Sequence, residues 1–217
     1  MIINCHTADP DEYARAAFQF NTALPKPNPC VIVMANNSKC IQGVVNQVTS
    51  LRNYDRSKYQ HLQIAVRGGR HSYIGASTKK NGVVVDVSRF DSIQQHDGDG
   101  LMTVGAGITL GKLYYQLWKS YDPRLLYSGG SCPTVGLSGL TLGGGQGVTG
   151  HKYGLSADQV KEVKMVNSHG KLNKSSHEDL FWALRGGGNG NYGIVLSVYP
   201  QSIRDPRSKY RLSCLFL

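Results

Sequence analysis

No apolar run in this 217-residue chain is long enough to span a bilayer, so no membrane partner is expected. The opening residues, Met1-Ile-Ile-Asn-Cys-His6, lack the basic start and apolar stretch of a secretion signal, and the compartment stays undecided. Acidic residues are scarce: 14 Asp and Glu face 24 Lys and Arg, a formal net charge of +10 that favours anionic ligands. The cations fall into two groups, Arg52, Arg56, Lys58, Arg67 and Arg70 before the middle, and Arg204, Arg207, Lys209 and Arg211 in the tail. Neither group accompanies a zinc finger, an RNP-like strand or a heptad-linked basic region, so both are read as solvated charge and no nucleic-acid partner is expected. Cysteines are few, at 5, 30, 40, 132 and 214, with no C-x-x-C pair and no metal-ligand spacing, so no metal is expected. Their odd number leaves at least one thiol outside any intrachain disulfide.

Nucleotide signatures are missing in the same way. There is no G-x-x-x-x-G-K-[ST]. Gly145-Gln-Gly147-Val-Thr-Gly150 and Gly188-Asn-Gly190-Asn-Tyr-Gly193 have the G-x-G-x-x-G spacing but lack a preceding strand and a following helix, which excludes a Rossmann turn.

What the chain does have is glycine, 26 residues of it, crowded between Tyr127 and Gly147 around Cys132. Glycine serves where a backbone must approach a ligand closely or adopt positive φ. These glycines are interleaved with Val135, Leu137, Leu140 and Leu142 rather than with Ser and charges, so the stretch is read as the wall of a site for a bulky cofactor, not as a linker.

The remaining sequence alternates helical and strand-like segments. Pro10-Asp-Glu12 opens a helix with Tyr13, Ala17 and Phe20 on one face, and Cys30–Met34 reads as a buried strand. Ser38 is positioned to cap a helix carrying Ile41, Val44, Val45, Val48 and Leu51, which leads to a strand at Leu62–Val66 and implies a parallel crossover. Strands follow at Gly82–Val87 and Leu101–Val104, the latter after a turn at Asp97–Gly100. A helix capped by Thr109 carries Leu110, Leu113, Tyr114, Leu117 and Trp118 as a core stripe. Beyond the glycine-rich centre come a strand at Gln159–Val166, a capping box at Ser176–Asp179 ahead of Leu180–Leu184, and a strand at Ile194–Val198. This order predicts an α+β domain with mixed sheets flanked by helices. His71 and Cys132 each stand in a glycine-rich loop after a β-like segment, so the two are able to meet across one ligand. A nucleophilic Cys-His pair is the competing explanation, but no cysteine-protease signature surrounds Cys132.

Five ordered stretches, Arg67-Gly-Gly-Arg-His71-Ser72, Gly130-Ser-Cys132-Pro-Thr-Val-Gly136, Gly143-Gly-Gly-Gln-Gly147, Lys152-Tyr-Gly-Leu155 and Arg185-Gly-Gly-Gly-Asn-Gly-Asn-Tyr-Gly193, together resemble the berberine bridge enzyme-like oxidases. These belong to the wider vanillyl-alcohol oxidase type, with a PCMH-type FAD-binding domain. The resemblance implies two lobes, at 1–95 and 96–200, with FAD extended between them, and a divergent basic tail at 201–217. It implies a bicovalent flavin, bonded through His71 and Cys132, and cofactor contacts from Arg67, Gly68, Gly69, Arg70, Ser72, Gly130, Ser131, Thr134, Val135, Gly136, Gly139, Gly143, Gly144, Gly147, Tyr153, Gly154, Leu155, Gly190, Asn191, Gly193, Ile194 and Val195. Val135 matches the family's oxygen-gating position, whereas Leu140 departs from the His common in relatives.

Hydride transfer from a sugar, alcohol or alkaloid-like small molecule to the flavin, then to molecular oxygen, is the implied activity. Family members are often secreted, and they continue into a substrate domain that supplies the catalytic base. This chain is expected to end before that domain, so no catalytic residue is named. The alternative expectation is a non-catalytic flavin-binding fragment.

Overall fold

A computed structural model describes residues 1–96, 100–120, 125–176, 178–201 and 203–204. In chain order the elements are β1 (Ile2–Asn4), α1 (Pro10–Ala17), β2 (Val31–Met34), α2 (Ser38–Tyr54), α3 (Arg56–Tyr59), β3 (Ile64–Arg67), β4 (Val83–Asp86), β5 (Ile93–Gln95), β6 (Met102–Gly105), α4 (Leu110–Ser120), β7 (Leu125–Leu126), α5 (Leu137–Leu142), α6 (Gly150–Tyr153), β8 (Val160–Val166), β9 (Leu172–Ser175), α7 (Asp179–Leu184), β10 (Ile194–Pro200) and β11 (Ile203–Arg204). The expected turn at Asp97–Gly100 and the tail cations Arg207, Lys209 and Arg211 lie largely outside the described residues. Among the described residues, no helix is long and apolar enough to cross a membrane.

Local chemistry sets the helix ends, and two starts and one end differ from the sequence reading. At α1, the Asp9 carboxylate accepts the amides of Asp11 and Glu12, each at 3.0 Å, and Pro10 takes the first helical position, where a missing N–H costs nothing. The helix ends at Ala17, so Phe20 lies beyond it rather than on its face. Asn37, not Ser38, caps α2: its extended backbone aims Oδ1 at the Cys40 amide, 2.9 Å away. The box expected at Ser176–Asp179 does not form. β9 stays paired as far as Ser175 opposite Val163, so the chain must first turn away, and α7 begins at Asp179 with the Glu178 carbonyl accepting the Phe181 and Trp182 amides.

Two main sheets result. The first has the order β1-β2-β4-β3, with β1 antiparallel to β2 and the other pairs parallel. The helical connection through α2 does make β2 and β3 parallel, but β4 lies between them: Val33 and Val66 both pair with Val85. The second sheet, β5-β6-β10-β8-β9, is antiparallel throughout and centres on β10, whose Ile194 to Ser197 and Val198 are buried.

One core joins the two sheets. Ile41 and Val45 of α2 pack with Val85 and Val87 from the first sheet and with Val163, Met165, Leu196 and Val198 from the second. Each such fully buried aliphatic side chain contributes about 1.5–3 kcal/mol. A second cluster packs Leu110, Leu113 and Leu117 of α4 on Met102, Val104, Ile108 and Leu137. Here the expected stripe divides: Tyr114 is half-buried against this cluster, but Trp118 is 49% exposed.

Candidate cofactor-binding site

The loop carrying His71 leaves the sheet where β3 and β4 end side by side, with Arg67 in register opposite Asp86. Both are buried, at 3% and 0% exposure. Arg67 Nε donates to Asp86 Oδ2 at 2.7 Å, Arg70 Nη2 donates to the same oxygen at 3.3 Å, and the Ser88 amide donates to Oδ1 at 2.9 Å. Burial alone would raise the Asp86 pKa, but the Arg67 charge and the Ser88 hydrogen bonds hold it below the ordinary carboxylate value. The side chain of Arg67, one of the expected cofactor contacts, is engaged with Asp86.

Arg70 turns the chain through a left-handed conformation, φ 64°, which is costly for a residue with a Cβ and is held from both sides. Its Nη1 donates to Arg15 O at 3.1 Å, and its carbonyl accepts the Phe20 amide at 3.1 Å. This turn sets the His71 ring against Phe20, centroids 4.0 Å apart and planes at 21°. His71 Nε2 then lies 2.8 Å from Thr134 Oγ1, leaving Nδ1 without a hydrogen-bond partner among the described residues. Burial lowers the His71 pKa below its ordinary value, so the ring is neutral at pH 7. Ser72 serves its own turn, its Oγ accepting the Ala76 amide at 2.9 Å.

The loop carrying Cys132 is suspended by carbonyls. Val135 O accepts the Leu110 amide, Pro133 O the Gly111 amide, and Ile108 O the Leu137 amide, each at 2.9 Å. Tyr114 donates its hydroxyl to Gly130 O at 2.7 Å. Ser131, Cys132, Pro133 and Thr134 are left exposed. Among the described residues, the amides of Ser131, Cys132 and Thr134 meet no acceptor, a donor set suited to a pyrophosphate. Val135 is half-buried against the α4 cluster. The two loops abut backbone to backbone: a Cβ on Gly69 would overlap Gly136 N and lie 2.7 Å from Thr134 O. Glycine is required there by close approach, as it is at Gly147, where a Cβ would overlap Gly129 O.

The other expected segments join by further polar contacts. Ser156 Oγ donates to Ser128 O at 2.6 Å, and Ser128 Oγ donates to Gly154 O at 2.9 Å, which ties Tyr153-Gly-Leu155 to the residues before Gly130. Buried Tyr127 shares a hydrogen bond with Thr141, and burial pushes its phenol up to about 12. Asn189 Nδ2 donates to Gly139 O at the start of α5, linking the 185–193 loop to the stretch that runs on through exposed Gly143 and positive-φ Gly144. Gly190 and Gly193 also have positive φ, and Asn191 is exposed. Ile194 and Val195 lie in the core at the start of β10. A pocket lined by Asp158, Val160, Lys161, Ser176, Glu178, Phe181, Trp182 and Arg185 includes none of His71, Cys132 or Thr134.

Sequence reading missed Asp86 and Phe20. The one signal for Asp86 was an acid closing the apolar run Val83-Val-Val-Asp86; Phe20 carried none, since it meets His71 only through folding, across a separation of 71 − 20 = 51 residues.

Comparison with known proteins bears on this geometry. A family described as the FAD binding domain matches residues 47–176. Berberine bridge enzyme-like 12 from Arabidopsis thaliana is 36% identical over 202 residues, which cover 90% of this chain and 36% of that protein. Among solved structures, Physcomitrella patens BBE-like 1 superposes with a TM-score of 0.83 at 28% identity, over 94% of this chain and 42% of its own. The 6-hydroxy-D-nicotine oxidase of Arthrobacter nicotinovorans gives 0.80 at 28% identity, over 95% and 43%. The chain therefore spans less than half the length of each of these relatives.

Proposed function

The chain belongs to the FAD-binding-domain family, and from that premise we propose that it holds FAD across the two abutting loops, tethered covalently through His71 and Cys132, as the flavin part of a berberine bridge enzyme-like oxidoreductase. The observation that carries this reading is the 2.8 Å contact from His71 Nε2 to Thr134 Oγ1, which joins the two tether-bearing loops. With Nε2 engaged, Nδ1 is the ring atom directed to the cofactor, and a neutral imidazole has the lone pair that bond formation needs. Cys132, exposed two residues before Thr134, is the second nucleophile. The amides of Ser131, Cys132 and Thr134 receive the pyrophosphate, with Gly68, Gly69, Gly136, Gly139 and Gly143 keeping the backbone close.

When bound, the flavin supplies a hydride acceptor. The substrate class is a sugar, an alcohol or an alkaloid-like amine, in keeping with the similarity to a nicotine-type oxidase. Molecular oxygen is the proposed electron acceptor, with Val135 governing its access from the α4 side of the loop.

The test is anaerobic. Purified protein should show a flavin spectrum that a member of a sugar, alcohol and alkaloid panel bleaches and that air restores. Flavin that is bound but reduced by none of them would reduce the proposal to a flavin-holding module, and folded protein without flavin would overturn it.

A further inference from the structure

Spacing along the chain conceals a second cluster of chemically active side chains, which lies at the edge of the first sheet. The antiparallel pairing of β1 with β2 carries on past Asn4 and Val31, so that the Cys5 amide donates to Cys30 O at 3.0 Å and the two cysteines stand opposite each other. Their sulfurs are 3.9 Å apart. The next residue, His6, is turned back by its amide donating to Asn4 Oδ1 at 2.8 Å, and its ring nitrogen and the two sulfurs all lie within 4.8 Å of one another.

The separation discriminates between two fates for this pair. A disulfide brings sulfurs to about 2.05 Å. A tetrahedral ion with metal–sulfur bonds of about 2.3 Å holds them about 3.8 Å apart, close to what is seen. The frame is firm on the Cys30 side, where its amide donates to Gly82 O at 2.9 Å and Tyr13 donates its hydroxyl to Pro29 O at 2.7 Å. On the other side His6 is exposed and the cysteines are half-buried, so the cluster is open to solvent.

We propose that Cys5, His6 and Cys30 form a zinc site with two thiolates, one neutral imidazole and a water as the four ligands, clipping the first strand to its sheet. On binding, the two thiol protons pass to solvent, and the ion changes no oxidation state. The site is independent of the flavin loops.

Titration of the reduced, untagged full chain with Zn2+ against a chromophoric chelator tests this. One equivalent should bind, and Cys5→Ser and Cys30→Ser should each weaken binding by more than the roughly 10–100-fold that loss of an outer-shell partner costs. Cys40→Ser should change nothing, and Co2+ should give thiolate charge-transfer absorption that Cys5→Ser removes. Should either serine variant fail to fold by circular dichroism, the wild-type chain still decides: Zn2+ must slow alkylation of Cys5 and Cys30. Unchanged Zn2+ affinity in folded Cys5→Ser and Cys30→Ser, equal alkylation rates with and without Zn2+, or a Cys5–Cys30 disulfide that persists in reductant would each overturn the proposal.

Discussion

The His71 loop hangs from buried charge, whereas the Cys132 loop hangs from the backbone. In the first, one carboxylate, Asp86, collects Arg67, Arg70 and the Ser88 amide at the end of a parallel strand pair, and the loop is fixed by what its side chains reach back to. In the second, carbonyls of Pro133 and Val135 accept amides from the start of α4, and among the described residues the exposed stretch 131–134 makes one side-chain hydrogen bond, between Thr134 Oγ1 and His71 Nε2. The contrast suits a division of labour. A backbone-held loop keeps its amides available to an anion, while a side-chain-held loop can orient one ring, His71, through a strained turn at Arg70. It also makes the two loops fail differently when altered.

Asp86→Ala should have the largest effect. It leaves the Arg67 guanidinium buried without its partner, a change that costs about 3–5 kcal/mol, read as a lowered urea midpoint. Asp86 is held below the ordinary carboxylate pKa, so its stabilising contribution is present above about pH 4 and is lost as pH falls through its folded value. The acid limb of the wild-type stability curve below that pH should accordingly flatten in Asp86→Ala. A variant as stable as wild type would remove the charge side of the comparison.

Gly136→Ala tests the backbone side. Its Cβ would press on Gly69, separating the two loops, with a cost of about 1–3 kcal/mol by thermal melting and a larger relative loss of retained flavin. Gly150→Ala is the control: a Cβ there meets nothing within 4 Å, so stability should hold or rise by a few tenths of a kcal/mol. Equal effects at the two positions would show that close approach is not what glycine provides at 136.

Phe20→Ala should be the mildest. Losing the stacked ring costs about 0.5–1.5 kcal/mol, and as solvent reaches His71 its pKa should rise back toward the ordinary value, followed by NMR titration of the flavin-free protein. A His71 pKa that falls or stays put would show that Phe20 does not shield the ring.

The same contrast explains what the sequence could reveal. The Cys132 loop was legible because backbone anchorage and close approach demand glycine, and glycine density is visible at 129–147. Strand runs such as Val31–Met34, Val83–Asp86 and Ile194–Pro200 were legible because buried strands need β-branched residues. The His71 loop was only half legible. Its glycines and histidine stand in the sequence, but Asp86 belongs to another strand, and Phe20 arrives from beyond a helix that stops sooner than its apolar pattern suggests. Helix starts misread by a residue or two, Asn37 for Ser38 and Glu178 for Ser176, share a cause: several polar residues precede each helix, and the exit angle from the preceding turn or strand selects among them.

The central claim, that the two loops meet around one doubly tethered flavin, is tested most directly by acid precipitation of the purified protein followed by the visible spectrum of pellet and supernatant. The account predicts yellow colour in the pellet for wild type and for His71→Ala and Cys132→Ala singly, and in the supernatant for the double variant. Flavin released by acid from wild-type protein, or retained by the double variant, would contradict it.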